Sequence, residues 1–203
     1  MAEVKNILFI GDSVTAAHRS WLFPHGFGYV KNLSDLMPPQ WKLINKGKNG
    51  DRIVDLDSRW NQDVLKEGPN VISVNVGIND TWRRFDKNDS TTQQEFSDIY
   101  EKILLRTFDR LPRSTIILCE PFLLSRRVEM SECYGDFYGK IETIHLLAAK
   151  YTIPLIRFNE FLNMQVDVYG QDKLSKDGIH PTQLGHRLMS EFWLSNFRKL
   201  HQV

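Results

Sequence analysis

The chain has 203 residues, 41% of them hydrophobic and 25% charged, with a formal net charge of +1. That balance suits one globular domain with a sizeable core, and excludes a disordered or fibrous chain. Lys and Arg are scattered and form no basic stripe, so nucleic acid is not an expected partner.

Taken in chain order, "MAEVKNILFIGDSVT" offers too short an apolar run for a signal peptide, and no later stretch approaches the roughly 20 residues of a membrane span. The expectation is a cytoplasmic protein with no membrane partner. Apolar runs predict strands over Val4–Ile10, Trp41–Asn45, Asn70–Val76, Ser114–Cys119 and Pro154–Arg157. Helical spacing predicts helices over Tyr29–Leu36, Ile53–Leu65, Phe96–Leu111, Phe137–Lys150 and Leu184–Leu200. Thr92 and Glu95 are placed as a capping box before the third of these. The stretches Asp86–Gln94 and Leu124–Glu132 read as loops. Cys119 and Cys133 read as two free thiols rather than a disulfide.

Strands that are apolar on both faces and alternate with helices imply a parallel sheet covered on each side, a three-layer α/β domain. Ligands of such sheets bind beyond the carboxyl ends of the strands. There the sequence places "GDSV" after the first strand, "NKGKNGD" after the second, "GIND" after the third and "EPF" after the fourth. Ser13, Gly50, Asn79 and Glu120 are therefore expected on one edge.

Ser13 directly after Gly11-Asp12 is either a helix cap or a nucleophile. A nucleophile needs a base and donors for the oxyanion it creates. Near the other terminus, "SKDGIHPTQLGH" sets Asp177 three residues before His180, close enough for the carboxylate to orient the imidazole. Gly50, read as lying at the start of a helix, offers a backbone N–H, Asn79 a side-chain amide, and Ser13 its own N–H. Separately, each has a blander reading: Asn79 as a turn residue, Gly50 as a glycine needed for positive φ. His18 and His25, in the loop after Ser13, are candidates to line the cleft.

Together "GDSV", "NKGKNG", "GIND" and "DGIH" resemble the four blocks of the GDSL, or SGNH, hydrolase family, in order and across nearly the whole chain. The resemblance implies a flavodoxin-like α/β/α fold with a five-stranded parallel sheet, ester or thioester hydrolysis, and no cofactor or metal. It makes Ser13 the nucleophile, His180 the base and Asp177 its orienting acid, with Ser13, Gly50 and Asn79 forming the oxyanion hole. "GFGYV", "SRWNQDVL", "GINDTWRRFD" and "EPF" are similar to the intracellular acetylxylan esterases and related carbohydrate acetylesterases. That branch implies an acetylated sugar or oligosaccharide as the small-molecule ester substrate, with Asp12, Trp82, Arg83 and Glu120 as candidate substrate contacts. The chain departs from it beside the catalytic aspartate, where Lys176 replaces an expected aromatic residue.

Competing readings are weaker. An α/β-hydrolase needs Gly-x-Ser-x-Gly on a mid-chain elbow, and "GDSVT" lacks the second glycine. A metallohydrolase using Asp12, Asp177 and His180 lacks a second histidine block. A non-catalytic carbohydrate- or lipid-binding module has no need of so complete a catalytic set. A lysophospholipase or thioesterase is the main competitor among enzymes, but Trp82, Arg83, Arg84, Arg126 and Arg127 suit a hydroxyl-rich substrate better than a long acyl chain. "FLLSRRVEM" reads as a cleft rim or as a contact in a homo-oligomer.

Overall fold

The computed structural model describes residues 4–86, 89, 91–124 and 131–201. Five strands pair in parallel: β1 (Lys5–Gly11), β2 (Trp41–Asn45), β3 (Val71–Asn75), β4 (Thr115–Cys119) and β5 (Leu155–Ile156). Their order in the sheet is β2-β1-β3-β4-β5, the flavodoxin-like arrangement whose switch point lies between β1 and β3.

Alternate strand residues supply opposite faces, as a period of two demands. Ile7 and Phe9 join the core under α2 (Tyr29–Leu36), α7 (Phe158–Tyr169) and α9 (Gln183–His201). Leu8 and Ile10 join the core under α3 (Ile53–Trp60), α5 (Gln93–Arg110) and α6 (Ser131–Lys150). Both faces of the sheet are therefore buried, which is why its strands read as continuous apolar runs. No helix among the described residues is long and apolar enough to cross a membrane.

All five predicted strands are present, each within two residues of its predicted ends. The Thr92–Glu95 capping box opens α5. The predicted helix over Ile53–Leu65 is α3 followed by a π-helical turn at Asn61–Leu65. Cys119 and Cys133 are free and buried. Four helices were not predicted: α1 (Ser13–Ala16), α4 (Ile78–Asp86), α7 and α8 (Gln171–Leu174). Residues 125–130, which carry Arg126, Arg127 and most of the "FLLSRRVEM" rim, lie outside the described residues.

Candidate active site

Ser13 sits where β1 ends and α1 begins. Asp12 caps that short helix, its Oδ1 accepting the Val14 N–H at 2.9 Å. The turn is tight: a Cβ on Gly11 would lie 2.0 Å from the Asn75 carbonyl oxygen, and one on Gly47 2.3 Å from the Ala16 nitrogen. Only glycine lets β3 and the loop after β2 approach the Ser13 helix so closely. Asn45, the last residue of β2, donates from Nδ2 to the Thr15 carbonyl, fastening α1 from below.

His180 comes from the loop before α9. Its Nδ1 lies 2.6 Å from Asp177 Oδ2 and its Nε2 3.1 Å from Ser13 Oγ. An ionised carboxylate only accepts, so Nδ1 carries the hydrogen and Nε2 is free to accept from the Ser13 hydroxyl. The loop is closed by Asp177 itself, whose Oδ1 accepts the backbone N–H groups of Ile179 and His180, while Gly178 supplies the positive φ of 83°. Ser175 is fully buried beneath it, with its hydroxyl within reach of both Asp177 Oδ1 and the His180 carbonyl. Burial alone would raise the Asp177 carboxyl. The bonds from the His180 ring and from the two backbone N–H groups outweigh it and bring the pKa down to about 2.

On the other side of Ser13, Gly50 lies in a turn at φ 80°, three residues before α3 starts at Ile53. The expectation that it opens a helix is corrected: Gly50 lies in the turn before the helix, and its N–H has no partner among the described residues. Asn79 is in the first turn of α4 and donates from Nδ2 to the Asp51 carbonyl at 3.1 Å, which leaves the second amide hydrogen for a ligand. Asp80 accepts the Ile53 N–H on both carboxylate oxygens, tying the start of α3 to the start of α4. Burial raises the Asp80 carboxyl to about 6, against that backbone bond and a bond from Thr91.

Arg59, within "SRWNQDVL", reads from the sequence as helix surface, but the structure gives it a larger part. From α3 it donates from Nε to Asp51 Oδ2 at 2.6 Å, from Nη1 to the Lys46 carbonyl and Asp63, and from Nη2 to the Gly11 carbonyl. One planar guanidinium thus ties the ends of β1 and β2 to the residue after Gly50. Nothing local in the sequence could have revealed this, because Gly11 lies 48 positions away.

The candidate substrate contacts divide. Arg83 stands over the site, since a Cβ on Gly50 would meet its Nη2 at 3.4 Å. Trp82 is half-buried and packs with Ile179 against Ile78, Leu123, Phe137 and Ile141, beside the loop that carries His180. Asp12 and Glu120 are both buried, and their carboxylates bond backbone N–H groups of the fold. Glu120 accepts the Asn159 and Glu160 N–H groups at the start of α7 and pairs with His145. Asp12 Oδ2 is buried without a partner among the described residues, and burial raises the carboxyl to about 7. Arg84 is engaged by Asp136. His18 lines an open cleft of about 440 Å³ with Ser13, His180 and Phe27, whereas His25 is turned to the Leu43 carbonyl.

Comparison with known proteins places the chain among ester hydrolases. The chain is 25% identical over 206 residues to an acetylxylan esterase of Geobacillus stearothermophilus, covering 94% of this chain and 92% of that one. A crystal structure described as a GDSL-like lipase from Parabacteroides merdae superimposes with a TM-score of 0.90 at 27% identity, covering 96% of this chain and 95% of that one. A crystal structure of the Geobacillus enzyme does so with a TM-score of 0.87 at 25% identity, covering 97% and 95%. Three structures of that enzyme are of catalytic mutants, with a serine, an aspartate or a histidine changed to alanine. The profile of the GDSL-like Lipase/Acylhydrolase family matches residues 9–188. A chain matched over that length, with the family's serine, glycine, asparagine and histidine blocks gathered on one sheet edge, belongs to the GDSL-like Lipase/Acylhydrolase family and is a carboxylic ester hydrolase.

Proposed function

We propose that the protein is a serine esterase that removes acetyl groups from carbohydrates through an acyl-serine intermediate. The observation that carries this reading is the line Ser13 Oγ to His180 Nε2 at 3.1 Å and His180 Nδ1 to Asp177 Oδ2 at 2.6 Å. Ser13 attacks the ester carbonyl as its proton passes to His180. Asp177 stabilises the imidazolium, and the oxyanion lies among the N–H groups of Ser13 and Gly50 and the free amide hydrogen of Asn79. Collapse expels the alcohol, which takes the proton from His180. A water molecule, deprotonated by His180, then attacks the acyl-serine, releasing acetate and restoring Ser13.

The acetyl-sugar assignment is supported by the likeness to an acetylxylan esterase along nearly the whole chain; the aspartate and histidine changed in that enzyme's catalytic mutants, three positions apart as Asp177 and His180 are, support the catalytic pair. A longer acyl chain is the second reading. It is favoured by the exposed apolar side chains of Trp21, Leu22, Phe23 and Phe27 in the loop after Ser13. Rates on p-nitrophenyl acetate, p-nitrophenyl octanoate and acetylated xylose separate the two. The proposal expects acetyl esters to be preferred, acetylated xylose to be cleaved, and both activities to vanish in Ser13→Ala. A preference for octanoate moves the assignment to a lipase or thioesterase with the same residues.

A further inference from the structure

The cleft beside Ser13 runs along one wall formed by His180, Pro181, Gln183 and His186, and another formed by Ala17, His18 and Phe27. A second hollow of about 420 Å³ continues it, sharing Phe27 and Gln183 and reaching Asn32 and Arg187. Neither Gly50 nor Asn79 lines either space, so the cleft leads away from where the carbonyl oxygen must sit. In the mechanism proposed above, the departing oxygen takes its proton from His180 Nε2 and must lie within hydrogen-bond reach of it. The alcohol half of the substrate, whose oxygen must face His180, is the half that can extend along this wall of the cleft.

His186 is the unusual residue in that wall. The Tyr29 backbone N–H donates to its Nδ1 at 3.2 Å, which puts the ring hydrogen on Nε2. Burial, with His18 and His180 adding in the same direction, lowers its pKa to about 4, so the ring is neutral across the working range. Nε2 makes no hydrogen bond to any described residue. Gly28 leaves room for the ring, because a Cβ there would lie 2.8 Å from His186 Cε1. The cleft is shaped by two consecutive left-handed residues, Ala17 at φ 41° and His18 at φ 61°, which turn the chain back after α1. The Phe27 N–H then bonds the Ala17 carbonyl at 2.8 Å, which holds Phe27 opposite α9.

We propose that this cleft is the subsite for the leaving alcohol, in which His186 donates a hydrogen bond from Nε2 to an oxygen of a sugar, Phe27 covers an apolar face of the ring, and Gln183 bonds its outer hydroxyls. A neutral, fixed N–H beside an aromatic face is the chemistry that recognises a pyranoside, where hydroxyls and C–H faces alternate. The inference rests on the acetyl-sugar reading, and selects within it: esters whose alcohol carries free hydroxyls next to the acetylated position are favoured over esters of plain alcohols.

Two substitutions separate the donor from the fold. In His186→Asn the side-chain oxygen can still accept from Tyr29, but no donor reaches the Nε2 position; in His186→Gln an amide N–H can return to it. The readout is the ratio of kcat/KM for a mono-acetylated methyl xyloside to that for p-nitrophenyl acetate, which share the acetyl group and differ in the alcohol. The ratio is expected to fall by about threefold to tenfold in His186→Asn, as loss of one neutral hydrogen bond entails, and to recover in His186→Gln. Phe27→Ala is expected to lower it through KM. A ratio that stays at the wild-type value in His186→Asn, whether both rates fall together or neither moves, overturns the subsite. Wild type that spares every acetylated xyloside while cleaving p-nitrophenyl octanoate overturns the acetyl-sugar reading itself, a result seen without any His186 variant.

Discussion

On one side of Ser13 the candidate oxyanion donors are braced by buried polar groups: Asp51 and Asp80 are at most 4% exposed, and Arg59 bonds four groups at once. On the other side, His180 and Asp177 have side chains 57% and 53% exposed, and they form a short, self-closed loop. The proposed mechanism accounts for the difference. Donors that stabilise developing charge act best when fixed in advance in a water-poor setting, and that requires support from several elements. A base that exchanges protons with the nucleophile, the leaving alcohol and water has to remain accessible, and three residues of loop suffice to orient it.

This contrast ranks the expected losses. Ser13→Ala removes the covalent route, and its kcat should fall by about 10⁵-fold or more in an ester assay. Asp177→Asn keeps the shape of the exposed loop but no longer fixes the tautomer of His180, and should cost on the order of 10³ to 10⁴ in kcat. Asn79→Ala takes away one proposed oxyanion donor and should cost about 10² to 10³ in kcat with a smaller change in KM. Equal kcat in Asn79→Ala and wild type would remove that residue from the hole.

Arg59→Lys tests the braced side at a distance from the chemistry. A lysine cannot serve Asp51, Asp63 and the Lys46 and Gly11 carbonyls together, so the Gly50 turn loosens. We expect kcat to fall by on the order of tenfold and stability to drop by about 3 kcal/mol or less, read by denaturant titration. If stability falls while kcat holds, Arg59 supports the fold and does not position the donors.

The remaining effect, on stability alone, is a pH dependence at Asp12. Its buried carboxyl is raised from the ordinary 3.8 to about 7, first by burial and then by Asp80 and Asp51, against the Val14 N–H and His180. Between those values the folded protein holds a proton that the unfolded chain has released, so this carboxyl makes stability decline as the pH rises from about 4 to about 7. Asn at position 12 keeps an oxygen for the Val14 N–H and has nothing to ionise. The melting temperature of Asp12→Asn should therefore gain on that of wild type across this range, by about 2 to 4 °C for each kcal/mol relieved. A constant difference between the two would mean that Asp12 does not titrate there.

The same contrast explains what the sequence could reveal. The His180 side is local: Asp177, Gly178 and His180 are contiguous, and their spacing alone predicts the bond between carboxylate and imidazole. The sheet was legible for a similar reason, because burial on both faces makes each strand a short apolar run. The braced side was legible only in its donors. Gly50 and Asn79 stand in recognisable blocks, but Arg59 acts on partners far along the chain, and its helix reads as an ordinary amphipathic one. The unpredicted α7 shows the limit most clearly. Its first N–H groups are capped by Glu120 from the end of β4, 39 positions upstream, so no capping residue precedes it in the sequence. Asp80 does the same for α3, across 27 positions. Glu120, a candidate substrate contact by resemblance, is such a distant cap, whereas Asp12 caps its own helix locally, accepting the Val14 N–H two residues on.

The central claim, that Ser13 is the nucleophile, is tested most directly by trapping. The protein is incubated with a fluorophosphonate that labels activated serines, and its intact mass and peptide map are recorded beside those of Ser13→Ala. The account predicts a single adduct on the peptide that carries Ser13, formed together with loss of esterase activity, and no adduct in the variant. A label on another residue, or a Ser13→Ala protein that still hydrolyses esters at the wild-type rate, would contradict it.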